Sequence, residues 1–188
     1  MEIGENTPSD WSAWLPAATR EVEDFLSEAG WDQPTQLFAL VPTIELVAAE
    51  PDLAERLPAA EGLTPIAQEP LTDDDLAETL AGIFWPDEVI GCALAQEIVV
   101  LPPEAEAELD KAVADVDADE LNQVAVRVAQ QHPDRRDARL VVGVLRSGQY
   151  CCLLRLKGTG DTPDELVEHP DLAPNMVNAL LRTLDIDA

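Results

Sequence analysis

The sequence predicts an α+β fold: an antiparallel or mixed sheet of about five strands with a C-terminal hairpin and helices mostly on one side. Three observations carry that reading. Two β-rich runs, Arg139–Arg146 (RLVVGVLR) and Gln149–Lys157 (QYCCLLRLK), flank Ser147-Gly148 and read as a hairpin. Ile98–Leu101 is apolar on both strand faces, as a central strand requires. Between such runs lie stripes of apolar residues at helical spacing.

Each element follows from local chemistry. Pro16 suits the first turn of a helix in which Val22, Phe25, Leu26 and Ala29 share one face, and Gly30 ends it. Leu37–Val41 is a short apolar strand halted by Pro42. Thr43 is placed to cap a short helix through Ala49, and Pro51 restarts the chain. Leu63–Gln68 reads as a strand that Pro65 confines to an edge. Thr72, followed by Asp75, resembles a capping box for a helix bearing Leu76, Leu80 and Ile83. Val89–Leu101 is the longest strand. Pro102-Pro103 ends it and opens a helix with Ala105, Leu109, Ala112, Val113 and Val116 on one stripe. A second stripe runs through Leu121, Val124, Ala125 and Val128, and a last helix from near Pro174 carries Val177, Leu180, Leu181 and Leu184. With Ser147-Gly148 as a two-residue turn, Val142 opposes Leu153, Val144 opposes Cys151 and Leu140 opposes Arg155. Residues 1–188 read as one domain, with 1–15 an arm that Trp11 and Trp14 pack onto the body.

Charge is distributed unevenly. The chain carries −27 at pH 7, yet six of its eleven basic residues (Arg135, Arg136, Arg139, Arg146, Arg155, Lys157) lie between 135 and 157, with Asp137 the one acid there. Arg139, Arg146, Arg155 and Lys157 form the candidate interaction patch. Either the acidic remainder neutralises this segment or the segment receives an acidic partner or anion. A charge of −27 exceeds what solubility asks of a small domain. It opposes direct binding to nucleic acid phosphates or anionic lipid. Salt adaptation and a GC-rich codon bias are two further sources of such acidity. The N-terminus lacks the basic start and apolar stretch of a signal peptide, no apolar run has the length of a membrane span, and Cys92, Cys151 and Cys152 form no CxxC. These features predict a cytoplasmic protein with reduced, buried thiols.

No motif brings a catalytic, cofactor or metal assignment. His132-Pro133-Asp134 looks like the loop of J-domain co-chaperones but leads into a strand; with His169-Pro170-Asp171 it reads as an element boundary. Asp115-x-Asp117-x-Asp119 opens like an EF-hand loop, but Glu120 stands where glycine is needed and Val126 where the bidentate glutamate belongs. Asp73-Asp74-Asp75 suits a helix first turn, where the macrodipole favours acids. Cys92 and Cys152 sit in apolar strands that make thiols inert, and Gly158-Thr159-Gly160-Asp161 is too short for a phosphate loop.

Taken in order, Trp85–Leu94 (WPDEVIGCAL), Leu101–Glu106 (LPPEAE), His132–Arg139 (HPDRRDAR), Val141–Gly148 (VVGVLRSG), Cys152–Gly158 (CLLRLKG) and Pro170–Leu181 (PDLAPNMVNALL) resemble a family of small acidic cytosolic proteins from Actinobacteria with no assigned activity. The resemblance spans roughly Pro16 to Leu184. It implies a GC-rich source and carries over no catalytic residues; Cys151 is less typical of the pattern than Cys152. The expectation is a non-enzymatic interaction module whose acidic exterior selects a basic protein partner. A secretion-chaperone-like client binder and a DNA-mimic inhibitor of a basic DNA-binding protein are the alternatives. Mimicry requires an acidic ridge, and a chaperone requires an exposed apolar groove.

Overall fold

The computed structural model describes residues 11–57, 61–71 and 75–184. Among them the helices are α1 (Leu15–Ala29), α2 (Thr43–Ala49), α3 (Leu76–Ala81), α4 (Pro103–Val113), α5 (Ala118–Gln131) and α6 (Pro174–Leu184). The strands are β1 (Gln36–Pro42), β2 (Leu63–Ala67), β3 (Gly91–Val100), β4 (Arg136–Leu145), β5 (Tyr150–Leu156) and β6 (Glu165–Glu168). They form one antiparallel sheet in the order β2-β1-β3-β4-β5-β6, so the α+β class holds with six strands rather than five. The extra strand is β6, whose sequence ELVE is too short to stand out from a loop. β2 lies at an edge, with Pro65 opposite Leu40, where its missing N–H removes no interior ladder bond.

The chain forms two compact units. One comprises the chain through Gln96 with Val141–Leu153 and the chain from Glu168; the other comprises Glu97–Leu140 and Leu154–Val167. In the first, α1 buries Leu15, Ala18, Val22 and Leu26, and it approaches β4 so closely that a Cβ on Gly143 would run into Thr19 Oγ1. Trp14 packs its ring over Gly62, which ties the start of α1 to the loop before β2. The Thr43 hydroxyl does not cap α2; it pairs with Thr64 Oγ1 at 2.9 Å. Asp75 caps α3 by accepting from the Glu78 N–H at 3.0 Å, and α3 stops before Ile83. Thr72, Asp73 and Asp74 lie outside the described residues.

Helices do not gather on one side. Cys151 and Cys152 are strand neighbours and face opposite ways. Cys151 meets Thr19 of α1, whereas the Cys152 thiol lies 3.7 Å from Pro170 O in the segment that enters α6. Both faces need cover because every residue of β4 from Ala138 to Leu145 is buried. Val142, Val144 and Leu153 are inside, as expected, and full burial of each contributes about 1.5–3 kcal/mol. Along β3 the buried stretch is 91–95, while Ile98, Val99 and Val100 are half-buried.

The hairpin forms with a different register. Leu145 N–H donates to Gln149 O and Gly148 N–H donates to Leu145 O, both at 2.9 Å, and Gly148 has φ +95°. The loop therefore has three residues, Arg146-Ser147-Gly148, with glycine at the left-handed position. A two-residue type I′ or II′ turn requires positive φ at its first position, which Ser147 does not adopt. Lys157 N–H to Asp137 O at 2.9 Å continues the same register. Arg139 thus faces Arg155, and Val141 faces Leu153, one residue from the expected pairing.

Candidate interaction surface

The register decides what becomes of the cationic segment. Asp137, Arg139, Arg155 and Lys157 fall on one face of the β4–β5 ladder, whereas the two-residue turn put Arg139 on the face away from Arg155 and Lys157. Arg139 is 1% exposed, and its Nη2 lies 3.3 Å from Glu97 Oε1. A buried guanidinium is tolerated only when paired. Arg155 is half-buried. Lys157 Nζ stands 4.0 Å from Asp137 Oδ2, and Arg136 Nη2 donates to Lys157 O at 3.2 Å.

Arg146 belongs to a different place and a different task. From the hairpin loop its Nε donates to Val89 O (2.7 Å), Nη1 to Leu184 O (2.5 Å), and Nη2 to Trp85 O and Pro86 O (3.1 Å each). It closes the loop before β3 and sits at the C-terminus of α6, where orphan carbonyls and the macrodipole favour a cation. Trp85 is held in the same region by its Nε1–H, which donates to Thr183 Oγ1 at 3.0 Å. Arg146 therefore spends its donors inside the protein, Arg139 is buried with its Nη2 against Glu97, and Lys157 is matched by Asp137.

Carboxylates have the opposite fate. Among the described residues Glu23 is the one buried acid, with Ser27 Oγ donating to its Oε1 at 2.7 Å. On α4, α5 and their connection, all eight acids (residues 103–131) are exposed, against two bases, Lys111 and Arg127. The three EF-hand-like aspartates lie here: Asp117 precedes α5 and Asp119 is in its first turn, a helix–helix connection and not a calcium loop. A shallow depression of about 440 Å³ lies along α5, lined by Gln123, Val126, Arg127 and Gln130, with no acid–base pair in it.

The remaining chemistry-bearing groups are committed elsewhere. Burial pushes the Cys92 thiol up to about 12, against smaller lowering by Thr183 and Arg146. Burial, with Cys151 beside it, pushes Cys152 up to about 11, and burial also raises Cys151. These sulfurs stay protonated and poorly nucleophilic at neutral pH. The two His-Pro-Asp tripeptides make the same local turn: each His Nδ1 accepts from the Asp N–H two residues on, at 3.1 Å. The first closes α5 and the second opens the 3₁₀ turn Pro170–Leu172. Gly158 N–H donates to Asp164 Oδ1 at 2.7 Å, so a carboxylate already occupies the position a phosphate would take in that loop.

Glu97, the partner of Arg139, was not anticipated. A signal for it exists: Glu97 is the one charged residue of β3, and Arg139 interrupts the apolar run of β4. Opposite charges inside two otherwise apolar strands are a reason to pair them.

A family model described as PPA1309-like protein matches residues 15–185. The chain belongs to that family. No curated protein and no solved structure matches it. Among the described residues no helix is long and apolar enough to cross a membrane.

Proposed function

We propose that this protein is a non-enzymatic binding module whose acidic exterior selects a cationic protein partner in the cytoplasm. The observation that carries this reading is the unequal fate of the two charges. Arg139 pairs with Glu97 and Arg146 with four backbone carbonyls, while among the described acids all but the buried Glu23 and the half-buried Glu97 are exposed. A surface of one sign raises the local concentration of partners of the other and accelerates their encounter. Three protonated, buried thiols fit a reducing compartment.

The test is affinity capture from lysate of the source organism, eluted with sodium chloride. Basic proteins should dominate the eluate, and they should leave as the Debye length falls from about 10 Å at 0.1 M to about 3 Å at 1 M. Captured partners that resist salt, or that are not basic, contradict the reading. A secretion-chaperone-like client binder is the second reading, favoured by the exposure of Phe25 (55%), Ile44 (59%) and Phe84 (82%). Release by detergent instead of salt would favour it.

A further inference from the structure

Within the second unit, α4 and α5 are amphipathic helices that pack on each other, yet the stripe that should be their core is incompletely covered. Of their apolar side chains only Ala105 is buried. Leu109, Val113, Val124 and Val128 are half-buried and Leu121 is 37% exposed; Val126, 54% exposed, stands outside the stripe beside Gln123, Arg127 and Gln130. The apolar stripe of an amphipathic helix in a folded protein is normally turned into a core, and apolar surface left open beside polar residues marks an interaction site. The same hairpin carries eight exposed acids against Lys111 and Arg127 within residues 103–131. On α4, helical spacing puts Glu106 and Glu108 on either side of the Ala105–Leu109 stripe.

That charge chooses the occupant. A second copy of the chain would bring the same acidic rim against this one, and like charges placed together in an interface cost several kcal/mol. An anion is repelled for the same reason. A segment with apolar side chains on one face and Lys or Arg beside them meets both features at once.

We propose that the α4–α5 helical hairpin is the docking element of this protein, and that it receives a cationic amphipathic segment of a partner protein. This rests on the acidic-exterior reading and adds where contact is made and why an apolar component is needed. The apolar side chains of the segment lie along the half-covered stripe near Leu109, Leu121 and Val124, and its cations meet the acids of α4 beside that stripe.

The experiment measures binding of two labelled synthetic peptides to the full chain by fluorescence anisotropy. One is an amphipathic lysine–leucine peptide; the other has the same lysines with serine replacing leucine. The lysine–leucine peptide should bind at least about tenfold more tightly, an effect of the size that burial of one apolar side chain produces. Leu121→Asp should weaken it by about tenfold or more and remove most of that preference, whereas Val126→Asp, about 140° around α5 from Leu121, should not weaken it. Both positions are exposed, so the fold should hold, which circular dichroism checks. Independently, Glu104→Gln, Glu106→Gln, Glu108→Gln and Asp110→Asn together should weaken both peptides. The matched set Glu45→Gln, Glu50→Gln, Asp52→Asn and Glu55→Gln, and the separate Phe84→Ser, should not. If the second acidic set or Phe84→Ser abolishes binding and the hairpin variants do not, the hairpin is refuted and the acidic-exterior reading survives. If neither peptide binds at low salt, both fall. If an uncharged glutamine–leucine peptide binds as tightly, the cationic occupant is refuted.

Discussion

Replacing Arg146 by alanine removes the guanidinium that donates to the carbonyls of Val89, Leu184, Trp85 and Pro86. A hydrogen bond from a charged donor contributes about 1.5–3 kcal/mol. The Pro86 contact is exposed and water replaces it, and bonds from one guanidinium are not independent. Counting two of the four as lost without replacement gives a destabilisation of about 3–6 kcal/mol. For a chain of this size each kcal/mol shifts the melting temperature by about 2–4 °C, so Arg146→Ala should melt about 6–24 °C below the parent. Arg146→Lys keeps the charge but offers a point donor in place of a planar fork, and it should recover less than half of the loss. Thermal unfolding followed by circular dichroism reads all three proteins. A variant within about 2 °C of the parent would show that Arg146 is not a tie between the loop before β3 and α6, and would return it to the candidate patch.

Leu153→Asp buries an unpaired charge where Leu153 is 1% exposed, and the protein should fail to fold cooperatively; a melt like the parent's would refute the hairpin core. Arg139→Ala removes a buried guanidinium that lies 3.3 Å from Glu97 and should cost about 3–5 kcal/mol, read by urea unfolding. All three thiols should label slowly with iodoacetamide at pH 8 in the native protein and quickly in urea, because burial keeps them protonated. Since the folded Cys92 holds its proton to about 12 against an ordinary 9.0, the unfolded chain ionises first, and stability should fall as pH rises through that window. The melting temperature should rise from low to moderate sodium chloride as repulsion among carboxylates is screened; a flat or falling series would mean that attractive pairs dominate.

Elements whose signal is local were legible in the sequence. α1 follows from Pro16, a helical stripe and Gly30, and β2 from a short apolar run with Pro65 at an edge. The hairpin followed from two β-rich runs, but its register did not. Ser147-Gly148 suggests a two-residue turn only if serine accepts positive φ, and the chain avoids that by drawing Arg146 into the loop. One residue of slip then exchanges which side chains share a face, and it moved Arg139 beside Arg155. Arg146 was not legible because its acceptors lie 38 to 61 residues away in sequence and are backbone atoms. The shared turn of the two His-Pro-Asp tripeptides was half legible: proline announced the boundary, and the imidazole acceptor needed coordinates. The half-covered stripe of α4 and α5 was invisible for another reason, since periodicity shows which residues are able to face a core but not whether one covers them.

The central claim is that the cationic segment is spent inside the protein and an anionic exterior is left to recognise partners. Titration calorimetry of the full chain with decalysine and with heparin, across a sodium chloride series, tests it most directly. Decalysine should bind at low salt with an affinity that falls steeply as salt rises, and heparin should not bind at any salt. Binding of heparin at low salt, lost on Arg155→Gln with Lys157→Gln, would show that these side chains remain an open anion site and would contradict the account.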